Sequence, residues 1–197
     1  MSGSEARYPR TIRCGNVDVE LTRMTAADRD SVLAFAKTLR PHDLLFMRRD
    51  ISQPKVVDAW IKEIESRTIE SLVARAGGQV VGCSGIVNDP FSFSPHVGEL
   101  RVVLSPAMRE VGLGRALIQE SFLVALERGL EKLVAQMTAD QQGAMAVFES
   151  LGFKPEALLR DHVRAPGGKK HDLVILSHDV AQLEAQNDAY GLTEAFD

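Results

Sequence analysis

Two glycines flank Leu113 in the run Arg109-Glu110-Val111-Gly112-Leu113-Gly114-Arg115. Before it stands an apolar stretch, Leu100 to Leu104, rich in β-branched valine and stopped by Ser105-Pro106. Proline cannot donate to a sheet ladder, so the strand must end there. After it the pattern turns helical. Leu113, Leu117 and Val124 fall on one stripe, with Ile118, Phe122 and Ala125 on its neighbour. The unit reads as strand, glycine loop, helix. A helix N-terminus carries unpaired N–H groups and a partial positive charge. Glycines there let a ligand approach the backbone closely. The chemistry such a unit offers is capture of an anion, a phosphate or pyrophosphate. The alternative is a glycine-punctuated helix start with Arg109 in solvent.

A dinucleotide-binding loop of another fold would need G-x-G-x-x-G, but the third glycine position is Leu117 and no acidic residue closes a following strand. The pattern R/Q-x-x-G-x-G/A is met in full by Arg109, Gly112 and Gly114. It resembles the acetyl-CoA pyrophosphate loop of the GNAT superfamily of N-acetyltransferases. A second segment, AMAVFESLGFKPEA, is similar to the superfamily's helix that ends in an aromatic and then L-G-F. Ala144, Phe148, Leu151, Gly152 and Phe153 hold those places. The closing stretch, RDHV, a glycine turn and HDLVILS, resembles the last hairpin of ribosomal-protein-type members, without their tyrosines. The likeness runs over roughly residues 17 to 178.

The resemblance implies a co-substrate and roles. Acetyl-CoA would pair its pantetheine arm with the backbone of Val102, Val103 and Leu104, like an added strand. The N–H groups of Arg109, Glu110, Val111, Gly112, Leu113, Gly114 and Arg115 would hold the pyrophosphate, and both arginines could add charge-assisted bonds. An amine would then attack the thioester directly in a ternary complex. A lysine-type amine is neutral in only roughly one molecule in two thousand at pH 7, so a general base helps. Glu99 is the first candidate, though Glu99 and Arg101 share a strand face and could simply pair. His96 and His162 are weaker candidates. Gln141 stands where the superfamily has an asparagine that bonds the cofactor. Phe148 replaces its tyrosine, so it could pack on pantetheine but not protonate the sulfur. His162, Arg164, His171 and Asp172 line the acceptor groove on this reading, or form a polar hairpin in water. The rival from another class is a non-catalytic acyl-CoA-binding or sensing module.

The elements that must position these residues follow from patterning. The 197 residues suffice for one domain with a real core, and 45% hydrophobic against 25% charged is ordinary for a globular chain. A net charge of -4 argues against nucleic acid as a partner. No apolar run is long enough to cross a bilayer, and the N-terminus lacks the apolar core of a signal peptide. Cys14 and Cys83 have no metal spacing, so no metal is expected and a reduced cytoplasm fits. A homodimer is left open. In order, the chain reads as strand, two helices, three strands, helix, strand, helix and two strands. That order makes an α/β (α+β) fold of GNAT type, a mixed and mostly antiparallel central sheet with helices on both faces. Residues 1–15 read as a flexible N-terminal tail, 16–178 as the N-acetyltransferase domain and 179–197 as an acidic C-terminal tail.

Overall fold

The computed structural model describes residues 7–180. Its elements are β1 (Arg10–Cys14), β2 (Val17–Arg23), α1 (Arg29–Lys37), α2 (Pro54–Glu65), β3 (Ile69–Ala76), β4 (Gln79–Val87), β5 (Val97–Leu104), α3 (Leu113–Glu127), β6 (Lys132–Thr138), α4 (Gln142–Ser150), β7 (Lys154–Arg164) and β8 (Lys170–Asp179). The strands form one sheet in the order β1-β2-β3-β4-β5-β6-β8-β7. All neighbours are antiparallel except β5 and β6, which run parallel.

Local sequence explains the joints. The β3–β4 hairpin turns on Gly77-Gly78, both at positive φ (55° and 78°), as a two-residue turn matched to strand twist requires. Gly129 (φ 67°) ends α3 in the left-handed conformation. Period-2 alternation then sorts side chains between two cores. On one face Val32, Phe35, Trp60 and Ile61 of α1 and α2 pack on Val73, Cys83 and Val103. On the other, Leu113, Leu117, Ile118 and Phe122 of α3 pack on Leu21, Leu72, Ile86, Leu100 and Leu133. Burial pushes the Cys83 thiol up to about 12, so it behaves as a small apolar side chain.

The two tails need correction. Part of the tail expected over 1–15 is the edge strand β1, paired with β2 from Arg10↔Leu21 to Cys14↔Val17. Arginine in RTIRC made it read as solvated, but the charge of Arg10 is met across the sheet. Arg10 donates to Glu120 of α3 at 2.7 Å, and the Tyr8 hydroxyl donates to the same carboxylate at 2.9 Å. Glu120 is only 6% exposed, so these partners offset the cost of a buried charge. Burial, and then the charge of Glu120, push the Tyr8 phenol above its ordinary range. At the other end Asp179 still pairs with Lys132, and Val180 is fully buried, its N–H on the Glu131 carbonyl. The rest of the acidic tail, 181–197, lies outside the described residues.

Candidate active site

β5 and β6 stay paired for three residues only: Val97↔Lys132, Gly98↔Leu133 and Glu99↔Val134. Beyond that the parallel strands part. β5 runs on to Leu104 beside β4 alone, and β6 to Thr138 beside β8 alone. A strand with one neighbour points alternate N–H and C=O groups into the gap. The result is a wedge lined by backbone that has no strand partner among the described residues. Its vertex requires a glycine: a Cβ on Gly98 would lie 2.7 Å from Leu130 Cδ1 and 2.8 Å from Ile86 Cγ2.

Leu104 leads through Pro106–Met108 into the glycine loop. Gly112 has φ 91° and nothing within 4 Å of a built Cβ, so backbone conformation and not crowding calls for glycine there. Gly114 is the reverse case, its Cβ position 3.2 Å from Leu104 Cδ1. Among the described residues, no protein acceptor takes the N–H groups from Glu110 to Arg115. The first intrahelical bond runs from Ala116 N–H to the Gly112 carbonyl at 3.0 Å. Six successive donors around a helix N-terminus fit a pyrophosphate.

The side chains of the two loop arginines are already engaged. Arg115 donates to Ser150 Oγ at 3.0 Å. Arg109 lies 2.7 Å from the Asp43 carboxylate, which Arg40 also holds at 3.0 Å. Burial would raise the Asp43 pKa, but the hydrogen bonds and charges of Arg40 and Arg109 outweigh it and hold the carboxyl below the usual range. Asp43 opens a short 3₁₀ turn, Asp43–Met47, between α1 and α2. Arg48 follows that turn in the left-handed region (φ 56°) and donates to Glu99 Oε2 at 3.0 Å, while Arg101 donates to Oε1 at 2.9 Å. The turn is thus tied at one end to the glycine loop and at the other to the vertex of the wedge. The pairing of Glu99 with Arg101, open in the sequence, is present, and Arg48 is a second partner that no motif marked.

Other candidates fall differently. Gln141 Oε1 accepts from Thr138 N–H at 3.0 Å, and its Nε2 donates to the His42 carbonyl at 3.4 Å, so it ties α4 to β6 and to the α1–α2 connection. Phe148 is placed beside the cofactor by resemblance; in the structure it belongs to the core. Its ring is 6% exposed and stands edge-on to Phe153 at 4.9 Å, with Phe122 and His178 completing the aromatic group. Periodicity fixes the apolar stripe of a helix but not the neighbour it meets. Gly152 in L-G-F is required twice over, by φ 91° and by His178 Nε2 only 2.7 Å from a built Cβ. His96 precedes β5 and takes the N–H groups of Glu131 and Lys132 on its carbonyl.

A cleft of about 830 Å³ lies between the α1–α2 connection and the β7–β8 hairpin, with Gln136 of β6 and Leu173 of β8 also lining it. His162 and Arg164 line it as the sequence suggests, whereas His171 turns to Asp140 and Asp172 accepts from Asp161 N–H. Lys37, Arg48, Arg49 and Asp50 join from the other wall. Arg48 pairs with Glu99 and Arg49 with Glu63, but Lys37 and Arg164 have no acidic partner among the described residues. The sequence missed Lys37, Asp43 and Arg48; the run of charge from Arg40 to Asp50 was the one available signal.

A sheet whose parallel pair splays beside a donor-rich glycine loop offers a place for an extended anionic ligand, and comparison with known proteins gives the class of enzyme. The acetyltransferase (GNAT) family model matches residues 37–153. The chain is 29% identical over 119 residues to N-alpha-acetyltransferase RimI of Mycobacterium tuberculosis, covering 58% of this chain and 71% of that protein. The ribosomal-protein-alanine N-acetyltransferase of Brucella melitensis superposes with a TM-score of 0.69 at 25% identity, over 81% of this chain and 98% of that one. An acetyltransferase of Salmonella typhimurium, solved with its cofactor acetyl-CoA, shares the fold at a TM-score of 0.66 and 21% identity, over 81% and 94% of the two chains. The chain belongs to the acetyltransferase (GNAT) family, and its activity is acetyl-CoA-dependent N-acetyl transfer to an amine. Among the described residues no helix is long and apolar enough to cross a membrane.

Proposed function

We propose that this chain is a cytoplasmic enzyme that acetylates a primary amine carrying a negative group close to the nitrogen. Acetyl-CoA lies along the unpaired edge of Val102, Val103 and Leu104, with its pyrophosphate on the N–H groups of the loop. The acceptor enters through the cleft on the α1–α2 side. The observation that carries this reading is the cleft's charge. Among the described residues, Lys37 and Arg164 face it without acidic partners, and Asp50 is its one acidic lining residue, held by Ser52 and Gln53. Such a field repels a polyamine and draws in a carboxylate or phosphate. The amine attacks the thioester carbon as its proton passes, directly or through water, to a Glu99 oxygen with a lone pair not used by Arg48 or Arg101. The C–S bond then breaks, and water protonates the thiolate, because position 148 supplies no hydroxyl.

The double clamp on Glu99 favours one second reading, in which Glu99 only positions Arg48 and the amine loses its proton to water. Steady-state rates with dipeptides matched in size test the proposal. An N-terminal amine next to aspartate should show a kcat/KM about tenfold or more above one next to lysine, and Arg164→Glu should narrow or invert that ratio. A wild-type preference for the lysine peptide would overturn the charge assignment.

A further inference from the structure

Three residues distant in sequence, His42, Asp140 and His171, meet at the end of β6. They come from the residue before the 3₁₀ turn, from the β6–α4 connection and from β8. His171 Nδ1 lies 3.2 Å from Asp140 Oδ2, and His42 Nε2 lies 3.6 Å from Asp140 Oδ1. One ligand atom from each residue falls within 4.8 Å of the others. The rings are 5.5 Å apart and tilted by 44°, so they are not stacked. A tetrahedral ion with bonds of about 2.0–2.1 Å needs its ligands roughly 3.3 Å apart. Two of the contacts are already close to that spacing, and the half-exposed His42 ring can swing to shorten the third.

We propose that His42, Asp140 and His171 form a three-ligand site for a divalent cation of the zinc class, with water completing the shell. The site is separate from the acetyl-transfer chemistry and does not rest on the acceptor assignment. Its effect is mechanical. His42 immediately precedes the Asp43–Met47 turn, which holds Arg109 through Asp43 and Glu99 through Arg48. An ion there would fasten the near end of that turn to β6 and β8, and so brace the loop that receives the anion.

The test uses the full chain without a histidine tag, stripped with chelator and titrated with Co²⁺ and Zn²⁺. The proposal predicts one ion per chain, the intense visible absorption of low-symmetry Co²⁺, displacement by Zn²⁺ and a raised melting temperature. His42→Ala, at a half-exposed position, should keep the fold and weaken metal binding beyond the roughly 10–100-fold that outer-shell changes cost. Asp140→Asn should do the same, and His96→Ala should leave binding unchanged. Failure of the wild-type chain to bind either ion above the level of His42→Ala would overturn the site. So would a Co²⁺ spectrum that survives in both His42→Ala and Asp140→Asn.

Discussion

Glu99 stands at the last paired residue of a splaying sheet with a guanidinium on each oxygen. If it takes the amine proton, Glu99→Gln should lower kcat/KM by about 10² at pH 7, with part of the rate returning at high pH where the amine deprotonates unaided. An unchanged pH–rate profile would leave it as the anchor of Arg48. Gly112 is bound by its own backbone. With φ at 91°, Gly112→Ala should strain the loop by about 1–3 kcal/mol and displace the donors around the anion. Calorimetry should then show weaker acetyl-CoA binding in a folded variant, and unchanged affinity would remove the loop from the site. Phe148→Ala removes an aromatic from the main core and should cost about 3–5 kcal/mol in urea unfolding. A stable Phe148→Ala variant with a raised acetyl-CoA KM would return that ring to the cofactor. Residue type and spacing singled out the loop and Glu99 as candidates, because a phosphate site and a base would each need particular chemistry. They could not reveal which way Phe148 turns, because that depends on where α4 docks.

The Asp43–Met47 turn is the element that sequence patterns described least and that connects most of the site. It has no periodicity to read, and its ties, with those of the residues that flank it, run to Glu99, Arg109 and Gln141, 51 to 99 positions away. Strands joined by a glycine turn were legible; β4 falls on Gln79–Val87, directly after Gly77-Gly78. β1 was hidden because an edge strand can carry arginine on its half-buried face when another element supplies the counter-charge. The turn yields a pH prediction. The folded Asp43 carboxyl titrates below the ordinary value of about 3.9, so its ion pairs contribute fully above that pH and fade as pH falls through it to the lower folded value. Asp43→Asn should lower the melting temperature at pH 7 and flatten its decline in acid. An unaltered slope below about pH 4 would mean that these pairs carry no net stability.

At the scale of the molecule, one sheet separates two cores and opens between β5 and β6, so cofactor and acceptor can approach the vertex from different sides. The N-terminal strand closes the sheet's far edge and neutralises Glu120. Deleting residues 1–14 leaves that buried carboxylate without Arg10 and Tyr8, and should cost about 3–5 kcal/mol, read as a lower urea midpoint. A deletion that leaves the midpoint in place would make β1 dispensable. The overall order of elements was legible because alternation and helical stripes are local signals. The His42, Asp140 and His171 cluster was not, since each residue alone is unremarkable and only the fold brings them together. Catalysis is tested most directly by incubating the purified chain with acetyl-CoA and size-matched anionic, neutral and cationic amines. Acetylated product is followed by mass spectrometry and free CoA thiol in the same samples. One thiol released per amine acetylated, fastest for the anionic acceptors and greatly reduced in Gly112→Ala, is the predicted result. Stoichiometric acetyl-CoA binding with no amine acetylated would contradict it and leave a binding module in place of an enzyme.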